Sequence, residues 1–199
     1  MIRRKIGIFG GRFDPIHMGH LIVAQDVAEK VGLDLIVFLV SFHPPHKTEF
    51  TPFQHRFRMA QLATMGNPYF VASDFERRLN LAKSYTVLVM EKLRNEFRDS
   101  DLYFLMGMDQ FLTMESSWHK PERLFELAKV IVMQRPPIQN TAFAYSRFSE
   151  KAIFVKQRLV EVSSTEIRER VRRGLSIKYL VPPQVERYIY EHKLYGARR

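Results

Sequence analysis

The chain has 199 residues, of which 46% are hydrophobic and 26% charged, a composition that excludes disordered, collagen-like and low-complexity proteins. It contains no cysteine, which excludes disulfide frameworks, thiolate zinc sites and cysteine nucleophiles. Its net charge is +10, so a polyanion is the expected partner, either a nucleic acid or the phosphates of a nucleotide.

The sequence gives no sign of a targeting or membrane segment. It has no run of 18 apolar residues, and a basic start passes within a few residues into a glycine-rich loop. We therefore expect neither a signal peptide nor a membrane span, and we expect the protein to be cytoplasmic. The sequence is compatible with a homo-oligomer but does not determine the oligomeric state.

Short apolar segments alternate with helical patterns along the first 155 residues. Strands are predicted at 5–9, 34–40, 69–72, 101–106, 129–133 and 152–155. Helices are predicted between them at 19–31, 52–65, 84–97 and 121–127. Because near-continuous apolar strands are typical of parallel sheets covered on both faces, this alternation predicts an α/β fold with a doubly wound parallel sheet.

The pattern changes after residue 155, where two further helices are predicted at 164–173 and 183–194. No internal repeat and no linker separates them from the rest of the chain. We therefore expect a single domain over residues 1–199, with a C-terminal helical part at about 163–199. This end is the more basic one, since residues 151–199 hold 12 basic and 5 acidic side chains.

The first feature with chemical meaning is the stretch GGRFDPIHMGH at residues 10–20, between the first strand and the first helix. Gly10 and Gly11 allow close approach of a phosphate, and a helix start offers it backbone N–H groups. Neither a dinucleotide fingerprint nor a P-loop is present. His17 and His20 can donate to one anion, which suits phosphoryl or adenylyl transfer. The alternative is a glycine turn with two surface histidines.

A second feature is the stretch SSTEIR at residues 163–168, which opens a predicted helix. Ser163 and Glu166 have the spacing of a capping box, and this explains part of the pattern. Capping does not explain three consecutive hydroxyl groups followed by Arg168 one turn later. Together these offer several donors at a positive helix end, which indicates a second phosphate site.

These two motifs, with three further signals between them, resemble the bacterial nicotinate-nucleotide adenylyltransferases of the nucleotidylyltransferase superfamily. The intermediate signals are PPHK at 44–47, SYT at 84–86, and GMD at 107–109 followed by Trp118. The histidine motif alone marks only the superfamily, whereas the ordered set covers nearly the whole chain. The resemblance implies a Rossmann-like nucleotidylyltransferase fold.

The resemblance also implies a reaction, the transfer of AMP from ATP to nicotinate mononucleotide in NAD biosynthesis. The products would be nicotinate adenine dinucleotide and pyrophosphate, without a covalent enzyme intermediate. His17, His20 and Arg168 are the implied catalytic residues, which hold the triphosphate and stabilise charge in the transition state. Mg²⁺ would be held mainly by phosphate oxygens and water, because it prefers oxygen ligands and dehydrates reluctantly.

Two sets of binding residues follow from the same resemblance. Those implied for ATP are Gly10, Gly11, Phe13, His17, His20, Gly107, Asp109, Ser163, Ser164, Thr165 and Arg168. Those implied for nicotinate mononucleotide are Asp14, Lys47, Thr86, Trp118 and His119. Trp118 would stack on the nicotinate ring, and main-chain N–H groups near Thr86 and His119 would face its carboxylate. An amide in its place would need an acceptor for its two donors.

Three points stay open at the level of the sequence. The acceptor could instead be nicotinamide mononucleotide or phosphopantetheine. A basic nucleic-acid-binding protein is a less favoured alternative, because no nucleic-acid-binding motif accompanies the C-terminal arginines. Arg12 departs from the family, which usually has a small residue there; it could contact ATP, but we expect it to point to solvent.

Overall fold

Six parallel strands form one sheet, described in a computed structural model over residues 3–43, 51–133 and 146–197. The strands are β1 (Arg4–Gly11), β2 (Leu35–Val40), β3 (Phe70–Ser73), β4 (Ser100–Gly107), β5 (Lys129–Met133) and β6 (Ala152–Val155). Their spatial order is β3-β2-β1-β4-β5-β6. All six predicted strands are confirmed, and the order is that of a Rossmann sheet.

Eight helices accompany the sheet in the described residues. They are α1 (Met18–Val31), α2 (Phe53–Thr64), α3 (Phe75–Leu79), α4 (Thr86–Glu96), α5 (Met108–Ser117), α6 (Pro121–Leu127), α7 (Ser164–Arg172) and α8 (Pro183–Glu191). Single 3₁₀ turns lie at Ser149–Lys151 and Leu194–Gly196. The six predicted helices are present, although the last ends at Glu191 rather than at residue 194. Helices α3 and α5 were not predicted.

The helices cover both faces of the sheet, as the doubly wound prediction requires. Alternate side chains of a strand point to opposite faces, and here they join two separate cores. Phe38 and Leu105 pack with buried residues of α1, α2, α7 and α8. Leu39 and Phe104 pack with buried residues of α4, α5 and α6. The two C-terminal helices therefore pack against the same sheet as the rest of the chain.

Strand order reverses between β1 and β4, which pair in parallel at the centre of the sheet. In open α/β sheets this point leaves a crevice at the carboxyl ends of the strands, where ligands bind. The motif at residues 10–20 follows β1 and the GMD motif follows β4, so the fold brings these two motifs to one edge. No helix in the described part of the chain is long and apolar enough to cross a membrane.

Candidate active site

A cavity of about 470 Å³ opens at this edge of the sheet, between the ends of β1 and β4. A mostly preformed pocket at this point is where a small ligand is expected. Its wall combines residues of both predicted binding sets with residues that the sequence did not indicate. The predicted residues in the wall are Gly10, Gly11, Thr86, Asp109 and Trp118.

The turn after β1 is built on a buried phenylalanine. Phe13 is 2% exposed, has a φ of 50°, and packs its ring 5.1 Å from the His20 ring. A Cβ atom on Gly11 would lie 2.9 Å from the Phe13 ring, so only glycine fits this turn without a shift. The Phe13 side chain thus supports the site from behind, and its contribution to ATP binding would come from its backbone.

The two histidines form a stacked pair at the start of α1. Their ring centroids are 3.6 Å apart, and the backbone N–H of His17 donates to Nδ1 of His20 at 3.2 Å. Because Nδ1 accepts, a neutral His20 ring carries its proton on Nε2, which leaves that atom as a donor. A Cβ atom on Gly19 would lie 3.0 Å from the His17 ring, so the glycine of this motif makes room for that histidine.

The start of α7 has the predicted cap. The Ser163 Oγ accepts a hydrogen bond from the Glu166 N–H at 3.1 Å, as the capping interpretation requires. The next hydroxyl points elsewhere, since Ser164 Oγ donates to the Pro15 carbonyl at 2.8 Å. The start of α7 is therefore attached to the turn that leads into α1.

Arg168 makes a second connection between these two helix starts. Its Nη1 donates to the Asp14 carbonyl at 2.7 Å, and its Nη2 donates to Thr165 Oγ1 at 3.3 Å. The guanidinium group is half-buried and keeps donors available at the surface of the site. The two predicted phosphate-binding helix starts thus lie side by side, so the positive ends of two helices meet at one place.

Asp14 organises the same turn through its carboxylate. It is 4% exposed, its Oδ1 accepts from the Tyr195 hydroxyl at 2.8 Å, and its Oδ2 accepts from the Thr51 N–H at 3.2 Å. Burial and the nearby Asp14 raise the pKa of Tyr195, so this phenol stays protonated and keeps donating. Asp14 therefore joins the turn before α1 to the chain before α2 and to the C-terminal 3₁₀ turn.

The second half of the cavity lies at the starts of α4 and α5. Trp118 follows α5 and touches the Phe104 ring edge-on, with 6.0 Å between centroids. The exposed Asp109 lies in the first turn of α5, and a Cβ atom on Gly107 would lie 2.5 Å from its Oδ1. Gly107 therefore leaves room for this carboxylate at the helix start, and a side chain there would displace it. Arg12 also lines this cavity, which favours a site contact over a solvent-facing role.

Two of the predicted acceptor residues, Asp14 and His119, do not line the cavity. The ring of His119 packs on Tyr85 at 4.9 Å, next to the cavity but not in its wall. Lys47 falls outside the described residues. The contact of its side chain with an acceptor stays a prediction.

Sequence reasoning missed a buried arginine. Arg56 on α2 is fully buried and donates to the carbonyls of Arg12, Ser41 and Thr51 at 2.8 to 2.9 Å. Burial lowers its pKa, and the negative charge of Asp14 opposes this change. The signal was its spacing, three residues after Phe53 on the apolar face of an amphipathic helix. Arg56 holds the turn after β1 against the chain that follows β2.

A buried glutamate was also missed. Glu76 on α3 is 7% exposed, and its Oε2 accepts from the Phe42 N–H at 2.9 Å. Burial raises its pKa to about 7, while hydrogen bonds from Phe42 and Ser84 and the charge of Arg56 oppose this increase. Glu76 lines the same cavity as Trp118. No sequence pattern distinguished it from the charged residues that follow it.

The side chains of the site do not form a metal-binding cluster. Within residues 3–43, 51–133 and 146–197, no group of three or more His, Asp or Glu residues could hold a metal ion. The nitrogen donors of His17 and His20 are also poorly suited to Mg²⁺, which prefers oxygen. Retention of Mg²⁺ by substrate phosphates stays a prediction.

Comparison with known proteins gives consistent matches over nearly the whole chain. Residues 8–170 match the family described as cytidylyltransferase-like. A protein of Thermomicrobium roseum named "Probable nicotinate-nucleotide adenylyltransferase" is 43% identical, covering 96% of this chain and 91% of its own length. A Thermus thermophilus protein of the same name is 39% identical over 96% of this chain and 99% of its own.

The fold also matches solved structures. The Plasmodium falciparum nicotinic acid mononucleotide adenylyltransferase complexed with NaAD aligns with a TM-score of 0.80 and 20% identity. The alignment covers 98% of both chains. At this identity the likeness shows that the two chains share a fold.

Proposed function

Since this chain belongs to the nicotinate-nucleotide adenylyltransferase family, within the cytidylyltransferase-like proteins, we propose that it transfers AMP from ATP to nicotinate mononucleotide. The products are nicotinate adenine dinucleotide and pyrophosphate, a step of NAD biosynthesis. The observation that carries this proposal is the juxtaposition of two helix starts, α1 and α7, beside a cavity with an aromatic wall.

ATP occupies the helix starts in this proposal. The backbone N–H groups of α1 and α7 and the Arg168 guanidinium bind the outer phosphates, because all three present donors and positive charge to one place. The Nε2 of His20 donates to the α-phosphate, whose charge grows as the new bond forms. His17 fixes His20 through its backbone N–H.

Nicotinate mononucleotide occupies the cavity. Its ring stacks on Trp118, and its carboxylate accepts from main-chain N–H groups near Thr86 and His119. The acceptor's 5′-phosphate oxygen attacks the α-phosphorus, and the bond to the β-phosphate breaks in line with it. A phosphate monoester is mostly dianionic at pH 7, since its second pKa is about 6. The reaction therefore needs no general base, and the histidines act by charge stabilisation.

Mg²⁺ enters this reaction as part of the substrate, Mg-ATP. Phosphate oxygens and water satisfy its preference for octahedral oxygen ligands. This chain's residues then act on the phosphates rather than on the ion.

We also propose that the whole chain works as one nucleotidylyltransferase domain. The C-terminal α7 contributes Ser164 and Arg168 to the site that α1 begins, and α8 packs with α1 and α2 on one core. Separation of the C-terminal part would thus divide the ATP site.

The reaction itself is the first testable prediction. With Mg-ATP and nicotinate mononucleotide, the protein should release pyrophosphate and form the dinucleotide, measured by coupled pyrophosphate detection and chromatography. Near neutral pH, nicotinate mononucleotide should be preferred over nicotinamide mononucleotide by about tenfold or more, because unpaired amide donors cost about 1 to 3 kcal/mol each. Absence of product with these acceptors and with phosphopantetheine would refute adenylyl transfer.

The stacking role of Trp118 gives a second prediction. Trp118→Ala should lower kcat/KM for both acceptors roughly tenfold, since aromatic stacking contributes about 1 to 3 kcal/mol per base. The ratio of the two kcat/KM values should stay nearly constant, because Trp118 stacks on the pyridine ring, which both acceptors share. Tyr69→Ala is the matched control, as Tyr69 is 52% exposed in the turn immediately before β3, and it should change neither value. A changed ratio for Trp118→Ala would contradict this role.

A further inference from the structure

The cavity assigned to an anionic acceptor has a carboxyl group in its wall. Glu76 lies among the lining residues with Thr86 and Trp118. The Phe42 N–H and the Ser84 hydroxyl hydrogen bond to it, and Ser84 also belongs to the wall. The group is therefore fixed in place at the site rather than mobile at the surface.

The charges around Glu76 do not remove the conflict with an anionic ligand. Burial raises the pKa of Glu76, and this outweighs the positive charge of Arg56, which approaches from α2 and lowers it. The arginines that follow Glu76 on α3 are exposed. The other titratable or charged residues near it, from the elements packed around the cavity, are Arg12, His43 and Asp109.

We propose that Glu76 is a specificity-determining residue, whose charge sets the preference between an acceptor carboxylate and an acceptor carboxamide. The proposal rests on the function proposed above. Ionised Glu76 repels a carboxylate in the same cavity, whereas the uncharged carboxamide is little affected. Neutral Glu76 removes this repulsion and leaves the main-chain donors to favour the carboxylate.

Burial raises the pKa of Glu76 to about 7, so both charge states occur near neutral pH. Below this pH the side chain is neutral and the carboxylate acceptor is favoured. Above it the side chain is ionised and the preference declines. An acceptor carboxylate bound nearby opposes ionisation further, so binding of nicotinate mononucleotide near pH 7 draws a proton onto Glu76. Binding of nicotinamide mononucleotide does not.

The experiment compares kcat/KM for the two acceptors between pH 6.0 and 8.5. Using the ratio cancels the titration of the 5′-phosphate, which both acceptors share. In the wild-type protein the ratio of nicotinate to nicotinamide acceptor should fall about tenfold over this range, the size expected for two like charges roughly 12 Å apart at an effective dielectric constant of about 20. In Glu76→Gln, which keeps an oxygen for the Phe42 N–H, the ratio should stay constant.

Glu96→Gln is the matched control, because it removes a carboxylate from the exposed end of α4 and should keep the wild-type decline. A second readout does not depend on turnover or on the folding of a variant. Calorimetry of the wild-type protein at pH 7, with a non-transferable ATP analogue and buffers of different ionisation enthalpy, should show proton uptake with nicotinate mononucleotide alone.

A flat ratio in the wild-type protein, an equal decline in Glu76→Gln, or equal proton uptake with both acceptors would overturn the assignment to Glu76. These results are distinct from failure of the proposed function, in which neither acceptor is adenylylated at any pH.

Discussion

Replacement of His20 by Ala is expected to lower kcat by roughly 10² or more, the size associated with one preorganised donor to developing charge. The KM for ATP should change much less, because a contact that strengthens in the transition state affects turnover rather than ground-state binding. The structure gives the reason for preorganisation. The Nδ1 of His20 is held by the His17 N–H, and its ring rests on buried Phe13. Steady-state kinetics with Mg-ATP measures both constants.

Two amide variants test whether His20 acts through its Nε2 hydrogen-bond donor rather than through other properties of its ring. His20→Gln can place an amide N–H near the position of Nε2, so it should recover part of the lost turnover. His20→Asn reaches only the position of Nδ1 and should not recover turnover. His192→Ala removes an exposed histidine from the end of α8 and should leave turnover unchanged. Normal turnover in His20→Ala would show that this histidine is a bystander.

Much of the fold could be predicted because its signals are local. Strands β2, β4 and β5 contain short runs of apolar residues that are almost entirely buried, and such a run can be recognised from the local sequence alone. The start of α7 could be predicted for the same reason, since Ser163 and Glu166, whose N–H group it caps, lie three residues apart. Helix α5 was missed because its buried residues, Met108, Phe111 and Met114, are separated by polar side chains and by the exposed Leu112 and are followed by a polar stretch.

The candidate site was predictable in its parts but not in its assembly. The sequence indicated two phosphate-binding helix starts, but no local sequence pattern predicts that they contact each other. The bond from Ser164 to Pro15 joins residues 149 positions apart. The burial of Arg56 depends likewise on loops after β1 and β2. A charged side chain in a helix is usually exposed, so the spacing of Arg56 only hints at its burial, and no local pattern distinguishes Glu76.

Arg56→Met is expected to destabilise the protein by about 3 to 5 kcal/mol, the range for removing one member of a buried charged set. The reason is that the variant leaves three loop carbonyls without their donor and Asp14 and Glu76 without a nearby positive charge. For a chain of this size, Tm should fall by roughly 10 °C. Thermal and denaturant unfolding measure this effect. Arg58→Met, two residues along α2 at an exposed position, is the matched control and should change Tm little.

Arg56→Lys tests whether charge or geometry holds the loops together. Lysine keeps the positive charge but presents one compact head group, whereas guanidinium donates from several nitrogens in a fixed plane. It should therefore restore part of the stability lost in Arg56→Met while leaving the turn at Arg12 less well held, which would appear as a raised KM for ATP. Full recovery of both properties by lysine would mean that only charge is needed. A normal Tm for Arg56→Met would mean that the loops hold their positions without the hydrogen bonds from Arg56.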